Sequence, residues 1–160
     1  MATVARNELL SKIEMLAQSA TSADELMKGV VETLQQNMLK YNWVGFYMMD
    51  HSGAEPMLNL GQFVGAMTPH TRIPLDQGIC GAAAASGKTV VVDDVNKDPR
   101  YLACSIETKS EIVVPVFAFG AVVGELDIDS HFAAAFGPED RQLVEACAKI
   151  VGQFLERKRK

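Results

Sequence analysis

The 160-residue chain has no C-x-x-C pair, no P-loop, no G-x-G-x-x-G turn, no basic tract outside its last residues and no apolar run of membrane-spanning length. Each absence removes a class of function. Without C-x-x-C, a classical dithiol oxidoreductase and the common zinc sites lose their ligand spacing. The three histidines, His51, His70 and His131, are scattered and read as solvated turn residues, so no metal site is expected. The glycine-rich stretch G-I-C-G-A-A-A-A-S-G at 78–87 lacks both the P-loop Lys-Ser/Thr and dinucleotide-binding spacing. A formal net charge of −5 argues against a nucleic-acid footprint. The basic end, E-R-K-R-K, reads as a solvated helix terminus whose cations complement the dipole. The N-terminus has no signal-peptide core, and Glu8 and Glu14 count against a transit peptide. The cytosol is the expected compartment, where a disulfide among the three cysteines would be transient and catalytic rather than structural.

What is present is a 48% hydrophobic chain without repeats or low-complexity linkers, which fits one α+β domain over 1–160 with a substantial core. Apolar periodicity predicts N-terminal helices over about 3–40, the second opened by a Ser22–Glu25 capping pattern. The sheet and its pocket are expected over about 43–130. Strand signals occur at Trp43 onward, Met57 to Val64, Val90 to Val92, Ile112 to Val116 and Ala121 to Asp129, the last two joined at Phe119-Gly120. An Ala-rich helix from Ile79 to Ser86 is entered through Gly78 and closed by Gly87. Pro138 starts a last helix, over about 138–158. This pattern suggests one antiparallel sheet covered by helices on one face, its other face carrying connections that close a pocket.

The cysteines differ in setting. Cys147 lies at helical spacing among Leu143, Val144, Ile150 and Val151 and reads as an inert core residue. Cys80 lies at the mouth of the Ala-rich helix, where free amides and the helix dipole favour a thiolate, although a packing cysteine would look the same. Cys104 follows the polar connection D-D-V-N-K-D-P-R-Y and belongs on a loop, where a catalytic and an incidental thiol are equally consistent with the sequence. In L-D-I-D-S, Asp127 and Asp129 point to one side of a strand and Leu126 and Ile128 to the other. Two same-facing carboxylates in a core-like strand need a reason, and Glu111 in S-E-I-V-V-P adds a third acid.

Taken together, N-W-V-G-F-Y at 42–47, R-I-P-L-D-Q-G-I-C-G at 72–81, Y-L-A-C-S at 101–105, S-E-I-V-V-P at 110–115 and G-E-L-D-I-D-S at 124–130 resemble the free methionine-(R)-sulfoxide reductases, enzymes built on a GAF domain. The resemblance implies a sheet of about six antiparallel strands, helices on one face and a small enclosed pocket on the other. It implies reduction of free methionine-(R)-sulfoxide, with no cofactor. Cys104 matches the attacking cysteine and Cys80 the one that resolves its sulfenic acid as a disulfide, which thioredoxin reduces. Glu111, Asp127 and Asp129 match the acids that hold the substrate ammonium and serve the sulfoxide oxygen, and Trp43 and Tyr47 match apolar wall positions. Many members carry a third cysteine early in the strand after the G-x-C-G helix. Here that stretch is K-T-V-V-V, with Val90 nearest the position, so only the two-cysteine route is open.

Chemistry supports the same set. A thiolate attacking sulfur must expel a poorly leaving oxygen, which requires a neighbouring acid that stays protonated near neutrality. Clustered carboxylates raise one another's proton affinity. The alternative reading is a non-catalytic GAF sensor with incidental cysteines. Fold alone does not separate the two, although a sensor ordinarily signals through an attached effector. No membrane or nucleic-acid partner is expected, and a homodimer through the N-terminal helix pair is the assembly the sequence allows.

Overall fold

Two helices open the computed structural model, which describes residues 2–103 and 106–158: α1 over Ala2–Ser19 and α2 over Ala23–Asn37. Ser22 caps α2, its hydroxyl oxygen accepting the Glu25 N–H at 3.1 Å. Glu25 reaches back in turn, its Oε2 accepting from the Thr21 N–H at 2.6 Å. The capping pattern read from sequence therefore sets the start of α2.

Six strands follow: β1 (Trp43–Asp50), β2 (Met57–Val64), β3 (Arg72–Pro74), β4 (Val90–Val92), β5 (Ser110–Ala118) and β6 (Ala121–Ser130). Their order is β3-β2-β1-β6-β5-β4, and every neighbouring pair is antiparallel. Helix α3 (Gly78–Ser86) lies between β3 and β4 in the chain, and α4 (Pro138–Lys158) closes it. Two strand assignments differ from the sequence reading. β3, at three residues, is too short to carry a periodicity and is defined only by its pairing with β2. β5 begins at Ser110 rather than Ile112, because the polar pair Ser110 and Glu111 is buried by partners distant in sequence, Ser110 Oγ donating to Phe132 O at 2.6 Å.

Helices α1, α2 and α4 cover one face of the sheet. Ile13, Val30, Leu34, Val44, Phe46, Ile112, Leu126, Ile128 and Val144 fill that layer, and Cys147 is fully buried within it as its spacing implies. Each such side chain contributes about 1.5–3 kcal/mol relative to leaving it in water. Helix α3 crosses the opposite face, where Tyr47, Leu58, Ile79, Ala83, Val92 and Val113 form a smaller core. Among the described residues, no helix is long and apolar enough to span a membrane.

Candidate active site

Register brings the acids together. In the antiparallel ladder Glu111 of β5 stands opposite Asp129 of β6, Val113 opposite Asp127, and Pro115 opposite Glu125. Residues directly opposite share a face of the sheet, so Glu111, Glu125, Asp127 and Asp129 all point toward α3. They are 5, 0, 3 and 4% exposed. Glu125 is the acid that sequence reading passed over. The signal was present, since Glu125 continues the alternation of Asp127 and Asp129, but its neighbours gave no reason to add a third acid to that strand.

Four carboxyl groups in a dry space cannot all be ionised. Burial, and then the neighbouring Asp127, push Glu111 well above the ordinary carboxylate range. Burial and Asp129 do the same for Asp127, and burial and Glu111 for Asp129. Glu125 is raised chiefly by burial. Glu111 also hydrogen bonds with both aspartates, which is the arrangement of carboxyls sharing protons. One oxygen each of Asp127 and Asp129 has no hydrogen-bond partner. Buried acceptors of this kind are costly unless a donor meets them.

Cys80 is delivered from above. Gly78 begins α3 with φ 73°, a left-handed conformation suited to glycine, and a Cβ there would sit 2.9 Å from Leu102 Cδ1. The tight approach sets Leu102 against the start of α3 and Cys80 in its first turn. Its Sγ donates to Asp127 Oδ2 at 3.4 Å. Of the two settings the sequence left open for Cys80, the buried one is found: burial, then the charges of Asp127, Glu125 and Glu111, raise the Cys80 thiol well above its ordinary value. Burial and three carboxyls outweigh one short helix end and favour the protonated thiol.

Cys80, Glu111 and Asp127 line a cavity of about 20 Å³ together with Tyr47, His70, Ile73, Gly78, Ile79 and Leu102. Tyr47 is thus a wall residue, its hydroxyl donating to His70 O at 2.7 Å. Trp43 is not on that wall. It leans over Gly45, where a Cβ would meet its ring, and stacks on Phe63 at 5.7 Å, supporting Tyr47 from behind. His70 departs from the solvated-turn reading, since its Nε2 lies 3.1 Å from Ala103 O. That contact and Leu102 bring the segment preceding Cys104 to the rim. Cys104 itself lies outside the described residues. A larger groove of about 680 Å³ runs between β5 and α4 beside Lys88, Phe117, Arg141 and Glu145, but neither a cysteine nor a buried acid lines it.

The arrangement can bind a cation against unpaired carboxylate oxygens and supply protons from neutral acids beside a thiol. The GAF domain family profile matches residues 22–155. The free methionine-R-sulfoxide reductase of Escherichia coli is 34% identical over 122 residues, spanning 74% of this chain and 71% of that protein. An X-ray structure of the Neisseria meningitidis free methionine-R-sulfoxide reductase in complex with its substrate superposes with a TM-score of 0.89 at 36% identity, covering 97% of this chain and 92% of the other. The substrate complex of the Staphylococcus aureus enzyme gives a TM-score of 0.85 at 32% identity over 94% of this chain and 95% of its own.

Proposed function

The chain belongs to the GAF-domain family of free methionine-R-sulfoxide reductases, and from that premise we propose that it reduces free L-methionine-(R)-sulfoxide by a two-cysteine cycle. The observation that carries this reading is the Cys80 thiol bonded to Asp127 inside a row of buried acids, beside a segment that leads directly to Cys104.

In the first step the Cys104 thiolate attacks the sulfoxide sulfur. A neutral carboxyl of the Glu111–Asp127–Asp129 group protonates the oxygen, which passes to the cysteine as a sulfenic acid while methionine leaves. Unpaired oxygens of Asp127 and Asp129 receive the substrate ammonium, replacing a costly unmet acceptor by a charged hydrogen bond. In the second step Cys80 attacks the sulfenic sulfur, a disulfide forms and water is released. The Cys80 proton passes by way of Asp127, already its acceptor, to the departing hydroxyl, which leaves as water. The sum is one sulfoxide and two thiols giving one thioether, one disulfide and water. A thioredoxin-type dithiol in the cytosol then restores both thiols.

The cavity, at about 20 Å³, is too small for an amino acid as it stands. Entry therefore requires the lining of this cavity to open. Single-turnover assays with reduced protein test the cycle. Wild type should release methionine with loss of two thiols, Cys104→Ser should release none, and Cys80→Ser should release one equivalent and stall. Binding of methionine sulfoxide without methionine release by wild type would establish the sensor reading instead.

A further inference from the structure

Sequence spacing offers no metal motif, yet the fold assembles one from three separate elements. Cys80 from α3, Glu111 from β5 and Asp127 from β6 each present a ligand atom, all within 4.8 Å of one another. The Cys80 Sγ to Asp127 Oδ2 separation is 3.4 Å, close to the roughly 3.5 Å between sulfur and oxygen in a tetrahedral zinc site with ordinary bond lengths. A second observation points to a cationic ligand. Asp127 is 3% exposed and its Oδ1 is unpaired, as is Oδ1 of the neighbouring Asp129 at 4% exposure. The cavity that Cys80, Glu111 and Asp127 line, about 20 Å³, is the size of one ion or one water rather than of an amino acid.

We propose that the reduced, substrate-free site binds one borderline-soft divalent cation of the zinc class, through Cys80 Sγ and one oxygen each of Glu111 and Asp127. A thiolate with two carboxylates suits zinc or cobalt and is a poor set for magnesium or calcium, which favour all-oxygen shells of six or more. On binding, the Cys80 S–H bond breaks, its proton and any proton held by Glu111 or Asp127 leave to solvent, metal–sulfur and metal–oxygen bonds form, and nothing is oxidised or reduced. Coordination stands on the geometry alone. Its consequence rests on the reductase reading: the ion occupies the Asp127 carboxylate meant for the substrate ammonium and the sulfur meant for the disulfide, so it holds the enzyme inactive. Oxidation of Cys80 to a disulfide removes one ligand and releases the ion.

The test is cobalt titration of the reduced, chelator-treated full chain, followed by zinc competition. One equivalent should bind with a near-ultraviolet thiolate-to-cobalt band, zinc should abolish the band, and the disulfide form should show none. Cys80→Ser should lose the band. Glu111→Gln should weaken cobalt binding by about 100-fold or more, because disturbing even the outer shell of a metal site costs 10- to 100-fold. Cys147→Ser, in the opposite core, should keep the band. No band in wild type, or a band that persists in Cys80→Ser, overturns the proposal. Methionine release by the same preparation with chelator present is read separately: its absence refutes the reductase reading, whereas the band alone decides the metal site.

Discussion

On β6 the helix-facing residues Leu126 and Ile128 are fully buried, and the pocket-facing Glu125, Asp127 and Asp129 are 0, 3 and 4% exposed, so both faces exclude water to nearly the same degree. Their energetics have opposite signs. Burial of the leucine and isoleucine stabilises the fold. Burial of the three acids opposes folding unless they stay neutral, share protons or meet a cation. Dryness alone therefore says little about what a face does. The face whose burial is unfavourable is the one on which we propose the chemistry takes place, and the apolar face supplies the stability that tolerates it.

The sharpest way to break this contrast is to neutralise one acid. Glu111→Gln keeps size and removes both charge and proton transfer, so methionine formation should fall by about 10²–10⁴-fold, the range of general acid–base catalysis, while the melting temperature holds or rises. A steady-state assay alongside thermal denaturation reads both, and unchanged turnover would make the acidic row structural. Across the strand, Leu126→Ala should behave in the opposite manner. It should cost about 2–5 kcal/mol in chemical denaturation, with the rate per folded molecule largely kept. A large rate loss without destabilisation would mean that the two faces do not divide their labour.

The smallest effect, and the most diagnostic of sign, is expected from Glu125→Gln. The folded-state proton affinity of Glu125 is raised by burial, so its favourable contribution is intact below the unfolded carboxyl pKa, near 4.3, and is lost as pH rises toward the folded value. Glutamine undergoes no such loss. The variant should match wild type near pH 4 and become progressively the more stable of the two toward pH 8, as followed by denaturation midpoints across that range. A constant difference at all pH values would show that Glu125 does not titrate differently in the folded and unfolded chains.

Much of the framework was legible along the chain. The Ser22 cap, the Gly87 stop of α3, the Phe119-Gly120 hairpin and the Pro138 start are local signals with local causes, and each stands where its residue type requires. The alternation of L-D-I-D likewise placed two acids on one face. Reading stopped where burial depends on distant partners. Ser110 and Glu111 extend β5 because of what packs on them, β3 exists only through β2, and His70 reaches Ala103 across 33 residues.

The sequence by itself determined the two faces of β6, the starts of α2 and α4, the stop of α3 and the core position of Cys147, because these follow from residue type and periodicity within a few neighbours. Only the tertiary structure decided that Glu111 would stand opposite Asp129, that Glu125 would join them, and that Cys80 would meet Asp127 at 3.4 Å. It also decided the state of the Cys80 thiol. A helix end is a local property that favours a thiolate, but the surrounding carboxyls and the exclusion of water come from strands far away in the chain, and at these distances they dominate.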